Sequence, residues 1–302
     1  MSKADPTVLV THSERFHADD VFASALLLDL FPNARVVRSR DEAVIASGDI
    51  VYDVGKVFDP SIGRFDHHQP GADRRENGII YSSFGLLWRE YGLQFCGGDV
   101  ELQDAIDKSF VAPIDAVDNG QNIINTVYDG VTPFSVDMLI GVMNPQLWVD
   151  AAEAHDEQFN KAVELAKQIL YRVRDAAKND LLSHRYLLEL YKHTDDRRVL
   201  IADRTVDDVS GIVNECPELL YAVAPRPAGT WGVQAVATEP GSFASRRPFP
   251  DAWRARPVDE LKELTGVADV VFVHAAGFLA VADSKEGAVA LAYAALQEGS
   301  GA

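Results

Sequence analysis

The sequence predicts an α/β protein in which two domains are joined by a helical connector. From Val8 to Val54, short apolar segments alternate with amphipathic ones, the pattern of a mostly parallel sheet covered by helices. Residues 148–191 are rich in charge and lack Pro and Gly, which predicts one or two long helices. From Val199, short apolar runs separated by Pro- and Gly-rich turns predict a smaller α/β C-terminal domain. We therefore expect domains at 1–145 and 196–302, with the connector at 146–195.

The predicted elements follow from apolar periodicity and turn residues. In the N-terminal domain they are a strand at Val8–Val10, a helix at Val21–Phe31, a strand at Ala34–Val37, a helix at Arg40–Ala46, a strand at Ile50–Val54, and helices at Ser83–Tyr91 and Val100–Val117. In the C-terminal domain they are strands at Leu219–Ala224, Gly232–Ala237, Val270–His274 and Phe278–Ala282, and a closing helix at Ser284–Leu296.

Composition excludes several classes of protein. The 302 residues include 28 Lys and Arg against 46 Asp and Glu, a net charge of −18, which argues against coating duplex nucleic acid or anionic membranes. A phosphorylated substrate held by metal ions is compatible with this charge, because a bound cation dominates its local field. Two cysteines, no signal-peptide pattern and no apolar run of ~18 residues predict a cytoplasmic protein without a membrane span.

Histidines and aspartates gather behind the first and third predicted strands. His12 and Asp53 follow these strands directly, and His17, Asp19 and the triplet Asp66-His67-His68 come soon after them. Because the carboxyl ends of strands in an open α/β sheet form a common crevice, these groups can converge there. Imidazole and carboxylate together suit Mn, Fe, Co or Zn, with Mg as a further option. Asp53 is the candidate to bridge two ions about 3.5–4 Å apart.

Each of these groups also has an ordinary structural interpretation. Asp19 fits a helix N-cap, Asp53 a turn, and Asp66-His67-His68 a solvated loop. Asp118, a further candidate ligand, fits a helix C-terminal turn closed by Gly120, with Asp115 as its rival. The joint placement of five such groups behind strand ends favours a metal site.

At these residues the sequence resembles the MYG family, which is itself similar to the DHH phosphoesterases, a group that includes RecJ-type exonucleases and manganese-dependent pyrophosphatases. The matching segments cover nearly the whole chain. They are Thr11-His12, Phe16-His17-Ala18-Asp19-Asp20, Tyr52-Asp53-Val54-Gly55, Arg64-Phe65-Asp66-His67-His68-Gln69, Asp115-Ala116-Val117-Asp118-Asn119-Gly120, Gly241-Ser242-Phe243, Arg247-Pro248-Phe249-Pro250, Trp253 and Phe272-Val273-His274-Ala275-Ala276-Gly277-Phe278.

The resemblance implies a DHH-type N-terminal domain, an active site in the cleft between the two domains, and two divalent ions, with manganese favoured. One ion would be held by His12, His17 and Asp53, and the other by Asp19, Asp53, His67 and Asp118. His17 stands where the related enzymes usually carry an aspartate, which moves the preference away from Mg. His68 would face the substrate or orient His67, while Asp66 and Asp115 would support neighbouring ligands by hydrogen bonding.

The C-terminal domain is expected to supply cations for the substrate. Four arginines and a single aspartate lie between Ser242 and Pro257, a local charge of +3. Guanidinium groups match phosphate geometry, although the same arginines could pair with surface acids. His274 resembles a phosphate-contacting histidine of related domains, with a buried strand-end histidine as the alternative. The predicted phosphate-binding residues are His68, Ser242, Arg246, Arg247, His274 and Gly277.

These observations predict a metal-dependent phosphodiesterase, in which Asp53, His67 and His68 are catalytic and activated water attacks phosphorus. The family resemblance points to a 3′–5′ exonuclease acting on RNA or short oligonucleotides. The alternatives are a small-molecule phosphatase or pyrophosphatase with the same metals, and a non-catalytic module that retains the metal site. Expected partners are short single-stranded RNA or DNA or a small phosphorylated molecule, and a homo-oligomer stays open.

Overall fold

The computed structural model of the chain describes residues 6–145, 151–206 and 209–298. Its residues fall into two compact units, Met1–Lys178 and Asn179–Ala302, which we call the first and the second unit. The chain is a mixed α/β protein, and the described part of each unit contains a five-stranded sheet. The predicted domain boundaries at residues 145 and 195 stay predictions. Residues 146–150 of the predicted connector lie outside the described residues.

The sheet of the first unit places its first strand beside its third. Its strands are β1 (Val8–Thr11), β2 (Arg35–Arg38), β3 (Ile50–Tyr52), β4 (Phe58–Asp59) and β5 (Arg64–Phe65). They follow the order β2-β1-β3-β5-β4, and the pairings are parallel except that of β4 with β5. Sequence periodicity does not detect β4 and β5, because each has only two residues. The parallel pairing of β1 with β3 brings His12 and Asp53 to the same edge of the sheet.

Helices cover this sheet and carry further residues toward the same edge. They are α1 (Ala18–Leu30), α2 (Glu42–Ser47), α3 (Ser83–Phe95), α4 (Val100–Ile106), α5 (Ala112–Asp118), α6 (Val136–Gly141) and α7 (Ala152–Lys192), of which α7 continues into the second unit. The predicted helix Val100–Val117 is interrupted by a π-helical turn at Asp107–Val111, next to Pro113 near the start of α5. Proline has no N–H to donate, so the α-helical hydrogen-bond ladder is broken there.

Helix α1 begins three residues before the predicted start at Val21. The backbone N–H of His17, the N-cap residue, donates to the carboxylate of Asp20 at 2.8 Å and closes the first turn. Every residue from Ala18 to Leu27 is buried. The first turn of α1 therefore holds His17, Asp19 and Asp20 in fixed positions.

The second unit is built on β6 (Val199–Ile201), β7 (Tyr221–Pro225), β8 (Trp231–Ala235), β9 (Val270–Val273) and β10 (Leu279–Ala282), with helices α8 (Val258–Thr265) and α9 (Lys285–Glu298). The strand order is β6-β7-β8-β10-β9, and only the pairing of β6 with β7 is parallel. Its core includes the buried side chains of Tyr221, Phe249, Trp253 and Leu291. None of the helices within the described ranges is both long enough and apolar enough to span a membrane.

Candidate metal centre

His12 and Asp53 meet at the carboxyl edge of the first sheet. His12 follows β1 and Asp53 follows β3, and Nε2 of His12 lies 3.1 Å from Oδ2 of Asp53. Asp53 adopts a left-handed backbone with φ of 56°, a conformation that aspartate tolerates better than most residues and that ends the strand with a sharp turn. Two residues separated by 41 positions thus become direct neighbours, as the strand-end pattern predicted.

The carboxylate of Asp53 lies between two imidazole rings. Its Oδ2 faces His12, while its Oδ1 lies 3.3 Å from Nε2 of His67. The same Nε2 of His67 lies 3.3 Å from Oδ2 of Asp118 and 4.0 Å from Oδ2 of Asp19. Asp53 therefore presents one oxygen to each of two separate groups of ligand-type atoms, the arrangement that a bridging carboxylate requires.

The predicted ligands form three overlapping clusters in which the ligand atoms lie within 4.8 Å of one another. One holds His12, His17 and Asp53, another holds His17, Asp19 and Asp118, and the third holds Asp53, Asp66, His67 and His68. The structure thus brings together all six residues named as ligands from the sequence. His17 belongs to two clusters, from its exposed position at the start of α1.

Several buried polar atoms at this edge have no hydrogen-bond partner among the described residues. They are both carboxylate oxygens of Asp19, Oδ2 of Asp20 and Nε2 of His67. Burial and the neighbouring charges of Asp118 and Asp53 raise the pKa of Asp19 well above its ordinary value. Buried polar groups are nearly always paired in folded proteins, and a bound cation would supply the missing partner. The imidazole and carboxylate donors fit Mn, Fe, Co, Zn or Mg ions.

Hydrogen bonds on the far side of two rings leave their Nε2 atoms available. Nδ1 of His12 lies 2.9 Å from the carbonyl oxygen of Ser13, and Nδ1 of His67 lies 3.3 Å from Oδ1 of Asn119. An acceptor at Nδ1 fixes the proton there, which leaves the Nε2 lone pair free for a metal ion. Sequence reasoning gave Asn119 no role, because its position after α5 resembles an ordinary helix end.

His68 and Asp66 form a pair on the third cluster. Nδ1 of His68 lies 2.7 Å from Oδ1 of Asp66, whose Oδ2 accepts the backbone N–H of Lys56 at 2.6 Å. The hydrogen bond to Asp66 raises the pKa of His68 above its ordinary value, against the effect of burial. Asp66 therefore supports a neighbouring histidine, and the side chain of His68 remains 54% exposed.

Asp20 is a residue that sequence reasoning missed. It is fully buried, its Oδ1 accepts the N–H of His17, and its Oδ2 lies 3.4 Å from Nε2 of His12. Burial raises the pKa of Asp20 to about 7, with the charge of Asp53 acting in the same direction and that of His12 opposing it. Its spacing of three residues from His17 was the available signal, since a capping box places an acidic side chain there.

Asp115, the rival of Asp118, lies one helical turn away from the ligand clusters. It is buried, pairs with Arg75, and accepts hydrogen bonds from Ser82 Oγ at 2.5 Å and from the backbone N–H of Gly85 at 3.1 Å. Its backbone carbonyl accepts from Nδ2 of Asn119 at 2.9 Å. Asp118 thus lies in a candidate ligand cluster, whereas Asp115 lies behind Asn119.

The substrate residues predicted from the C-terminal sequence all lie in the second unit. Arg246 donates to the backbone carbonyls of Val213, Cys216 and Leu219, and Arg247 donates to that of Leu296. Nδ1 of His274 accepts the N–H of Ala276 at 3.0 Å. The remaining two are Ser242, which accepts the N–H of Ala244, and Gly277, which has φ of 71°. Their contact with substrate stays a prediction.

An open cavity of about 1210 Å³ lies over the metal-ligand clusters. Its wall includes His12, His17, Asp53, His67 and Asp118. It also includes four cationic side chains, Arg15, Arg40, Lys56 and Arg74. A cavity of this size and polarity accommodates a phosphorylated molecule beside the clusters.

Comparison with known proteins identifies the family. The chain is 32% identical over 338 aligned residues to the MYG1 exonuclease of Bos taurus, covering 97% of this chain and 85% of that one. It is 33% identical to a MYG1 protein of Schizosaccharomyces pombe, covering 95% and 97% of the two chains. The human MYG1 exonuclease is 29% identical, covering 97% of this chain and 86% of that one.

A solved structure of RecJ from Thermus thermophilus in complex with Mg²⁺ matches 96% of this chain and 50% of that chain, with 14% identity and a TM-score of 0.27. That similarity is too small to establish a shared fold. The evidence for the family is stronger. The model of the MYG1 exonuclease family, described as Uncharacterised protein family UPF0160, matches residues 8–296. The chain therefore belongs to the MYG1 exonuclease family.

Proposed function

We propose that this protein is a metal-dependent 3′–5′ exonuclease that hydrolyses phosphodiester bonds of RNA or short single-stranded oligonucleotides. The observation that carries the proposal is the carboxylate of Asp53, whose two oxygens lie 3.1 Å and 3.3 Å from Nε2 of His12 and His67. Membership of a family whose relatives are named exonucleases supports hydrolysis of nucleic acid. The polarity and the RNA preference rest on the resemblance described for the sequence.

The ligand groups would hold two ions, with Asp53 contributing to both. His12, His17 and Asp53 would hold one ion. Asp19, Asp53 and Asp118, whose oxygens lie 3.3–4.0 Å from Nε2 of His67, would hold the other together with His67, with manganese favoured. When bound, the two cations supply an acidified water and neutralise charge on the phosphoryl oxygens. The carboxylates of Asp19, Asp20, Asp53 and Asp118 crowd one buried edge, so bound cations also relieve the repulsion between them.

His68 would act on the substrate itself. Its Nδ1 is held by Asp66 at 2.7 Å, so Nε2 is the ring atom left for a substrate oxygen. Because its pKa is raised, the imidazole of His68 carries a proton over a wider pH range than an ordinary histidine. It would donate a hydrogen bond from Nε2 to a phosphoryl oxygen or to the leaving oxygen.

The charge of the chain favours short substrates. Because the net charge of the chain is −18, contacts of a long polyanion outside the site would release few counterions and would add little affinity. The cavity of about 1210 Å³ is large enough for a few nucleotides, and its cationic side chains offset the acidic background locally. As part of the proposal, Ser242, His274 and Gly277 would contact the remaining phosphates of the substrate. A cytoplasmic location is proposed on the two buried thiols.

The proposal is tested with Mn²⁺-loaded protein and single-stranded pentanucleotides of RNA and DNA that carry a label at the 5′ end. A 3′–5′ exonuclease produces a ladder of labelled products that shorten one nucleotide at a time, whereas the opposite polarity releases a labelled mononucleotide at once. Pyrophosphate is assayed in parallel. Turnover of pyrophosphate without turnover of either pentanucleotide would replace the proposal with the small-molecule alternative, and no turnover of any substrate would leave a non-catalytic module.

Asp53→Asn tests the shared carboxylate in the same assay. Loss of the bridging charge is expected to lower the hydrolysis rate by at least about 10³-fold, and bound Mn²⁺, counted by elemental analysis, is expected to fall below two ions per chain. The matched control is Asp104→Asn, because Asp104 is an exposed residue of α4 away from the cavity wall. Full activity of Asp53→Asn would contradict the two-ion arrangement.

A further inference from the structure

Four cationic side chains line the cavity of the first unit, whereas sequence reasoning placed all the phosphate-binding arginines in the C-terminal domain. The four are Arg15, Arg40, Lys56 and Arg74. Arg74 donates to the carbonyl of Gly78 at 3.2 Å, which occupies part of its guanidinium. Arg15 lies in the loop between β1 and α1, and Arg40 follows β2, where its Nη2 lies 3.3 Å from Nδ1 of His12.

The two arginines of the second unit that the sequence suggests as phosphate ligands already donate hydrogen bonds to backbone carbonyls. Arg246 forms three hydrogen bonds to carbonyl oxygens, at 2.6 Å to Val213, 2.6 Å to Cys216 and 3.0 Å to Leu219. Nη2 of Arg247 donates to the carbonyl of Leu296 at 2.9 Å. A guanidinium that satisfies buried carbonyls would leave them unpaired if it turned to a substrate. Phosphate binding therefore calls for guanidinium groups elsewhere.

Arg40 meets the requirement for a free guanidinium. Its Nη2 lies 3.3 Å from Nδ1 of His12, a nitrogen that also lies 2.9 Å from the carbonyl oxygen of Ser13. This single long contact leaves most N–H groups of the Arg40 guanidinium without a partner among the described residues, where it also has no carboxylate partner. It lies at the Nδ1 edge of the ring, whereas Nε2 at the opposite edge faces Asp53.

Arg15 is exposed on a loop whose backbone is held on both sides. The carbonyl of Glu14 accepts from Nη2 of Arg38 at 2.6 Å, and the backbone of Phe16 exchanges two hydrogen bonds, of 3.0 Å and 2.9 Å, with the side chain of Asn144. The side chain of Arg15 itself forms no ion pair or hydrogen bond with the residues that the structure describes. A fixed backbone beneath an unpaired guanidinium is the arrangement expected of a preorganised anion site.

We propose that Arg15 and Arg40 bind the non-bridging oxygens of the substrate phosphate adjacent to the scissile one. This inference rests on the proposed function. The ring of His12 separates Arg40 from Asp53. The phosphate that Arg40 binds would therefore be the neighbour of the scissile phosphate, which lies at the metal clusters. Planar guanidinium donors form strong, charge-assisted hydrogen bonds with phosphate oxygens. The ligand class is thus an oligonucleotide with at least two phosphodiesters, and a dinucleotide with one phosphodiester lacks the group that this site binds.

The test compares Arg15→Gln, Arg40→Gln and the double variant with the wild type. Mn²⁺-loaded protein is titrated against a fluorescein-labelled pentanucleotide and a labelled dinucleotide, both with phosphorothioate linkages that slow hydrolysis, and anisotropy reports binding at several salt concentrations. Each single variant is expected to lose about 10- to 100-fold in affinity for the pentanucleotide and to retain affinity for the dinucleotide. The slope of log affinity against log salt is expected to fall by about 0.7 for each lost contact.

Two controls show whether a loss of affinity belongs to this phosphate site. Arg35→Gln removes an exposed arginine at the start of β2 that does not line the cavity, and it is expected to bind both probes as the wild type does. Elemental analysis is expected to find unchanged Mn²⁺ in the arginine variants. Wild-type affinity of the double variant for the pentanucleotide, or an equal loss on the dinucleotide, would overturn the inference. A wild-type protein that binds the phosphorothioate pentanucleotide but does not cleave the unmodified pentanucleotide would refute only the proposed function, whereas absence of binding would refute both.

Discussion

Replacing Asp20 by Asn is expected to stabilise the metal-free protein at neutral and alkaline pH. The carboxylate of Asp20 is fully buried, and its Oδ2 has no hydrogen-bond partner among the described residues. In Asp20→Asn the side-chain oxygen can still accept the N–H of His17, and the new amide group faces Nε2 of His12 across 3.4 Å. The substitution therefore removes a buried negative charge and keeps the cap of α1.

The size of the effect follows from the pKa of Asp20. Burial raises it from 3.8 to about 7, and each unit of difference corresponds to about 1.4 kcal/mol. A carboxyl group with a raised pKa in the folded state contributes stability below pH 4, and that contribution is lost as the pH rises toward 7. The full loss is about 4 kcal/mol. The attraction between Asp20 and His12 disappears in the variant, so we expect a gain of about 2–4 kcal/mol at pH 8.

The assay is urea unfolding in EDTA between pH 4.5 and pH 8, followed by circular dichroism and tryptophan fluorescence. The variant and the wild type are expected to have similar stability near pH 4.5 and to diverge as the pH rises. In saturating Mn²⁺ the order is expected to reverse, because cations compensate the carboxylate of Asp20 and the amide of the variant competes with them for His12. Asp104→Asn is the matched control, since Asp104 is an exposed residue of α4. A metal-free Asp20→Asn protein no more stable than the wild type at pH 8 would refute the reasoning.

Two further substitutions test the support of a ligand and the backbone of the second unit. Asn119→Ala removes the acceptor that lies 3.3 Å from Nδ1 of His67, so Mn²⁺ titration is expected to show affinity about 10- to 100-fold weaker. Asn119→Asp keeps an acceptor there and is expected to keep the affinity. Equal affinity of both variants and the wild type would contradict the role of Asn119. Gly277→Ala places a methyl group 2.5 Å from Nε of Arg254 at a residue with φ of 71°, so unfolding is expected to require about 1–3 kcal/mol less. Gly229→Ala, with φ of 83° and open space, measures the backbone part alone.

The strand-end ligands could be predicted from sequence because their positions follow from topology. Parallel strands share a carboxyl edge, so His12 and Asp53 had to meet if β1 and β3 were neighbours, as they are. The family resemblance favours Asp118 over Asp115 as a ligand, and of the two only Asp118 lies in one of the candidate clusters. The fold class and the candidate ligands could thus be predicted from patterns that are visible in one sequence.

Other features could not be predicted, because they depend on packing or on side-chain partners. In the sequence, Asn119 has the pattern of a helix end, and only the fold shows that it lies beside His67. Asp20 has the pattern of an ordinary acidic residue in the first turn of a helix. The sequence suggests Arg246 as a phosphate ligand, but it does not show that the guanidinium donates to three backbone carbonyls. The two-residue strands β4 and β5 are too short for any periodicity, although they carry the chain to Asp66 and His67.

The start of α1 constrains how the length of the chain can vary in evolution. His17 and Asp19 belong to the first turn of a helix whose residues 18–27 are all buried. One residue inserted or deleted inside that turn would rotate the ligands by about 100° and shift them by about 1.5 Å against a helix that cannot slide. The crossover between β2 and β3 has no such restriction, since α2 contains no buried residue. We therefore expect relatives to vary in length between β2 and β3 and to keep the spacing from His17 to Asp20 invariant.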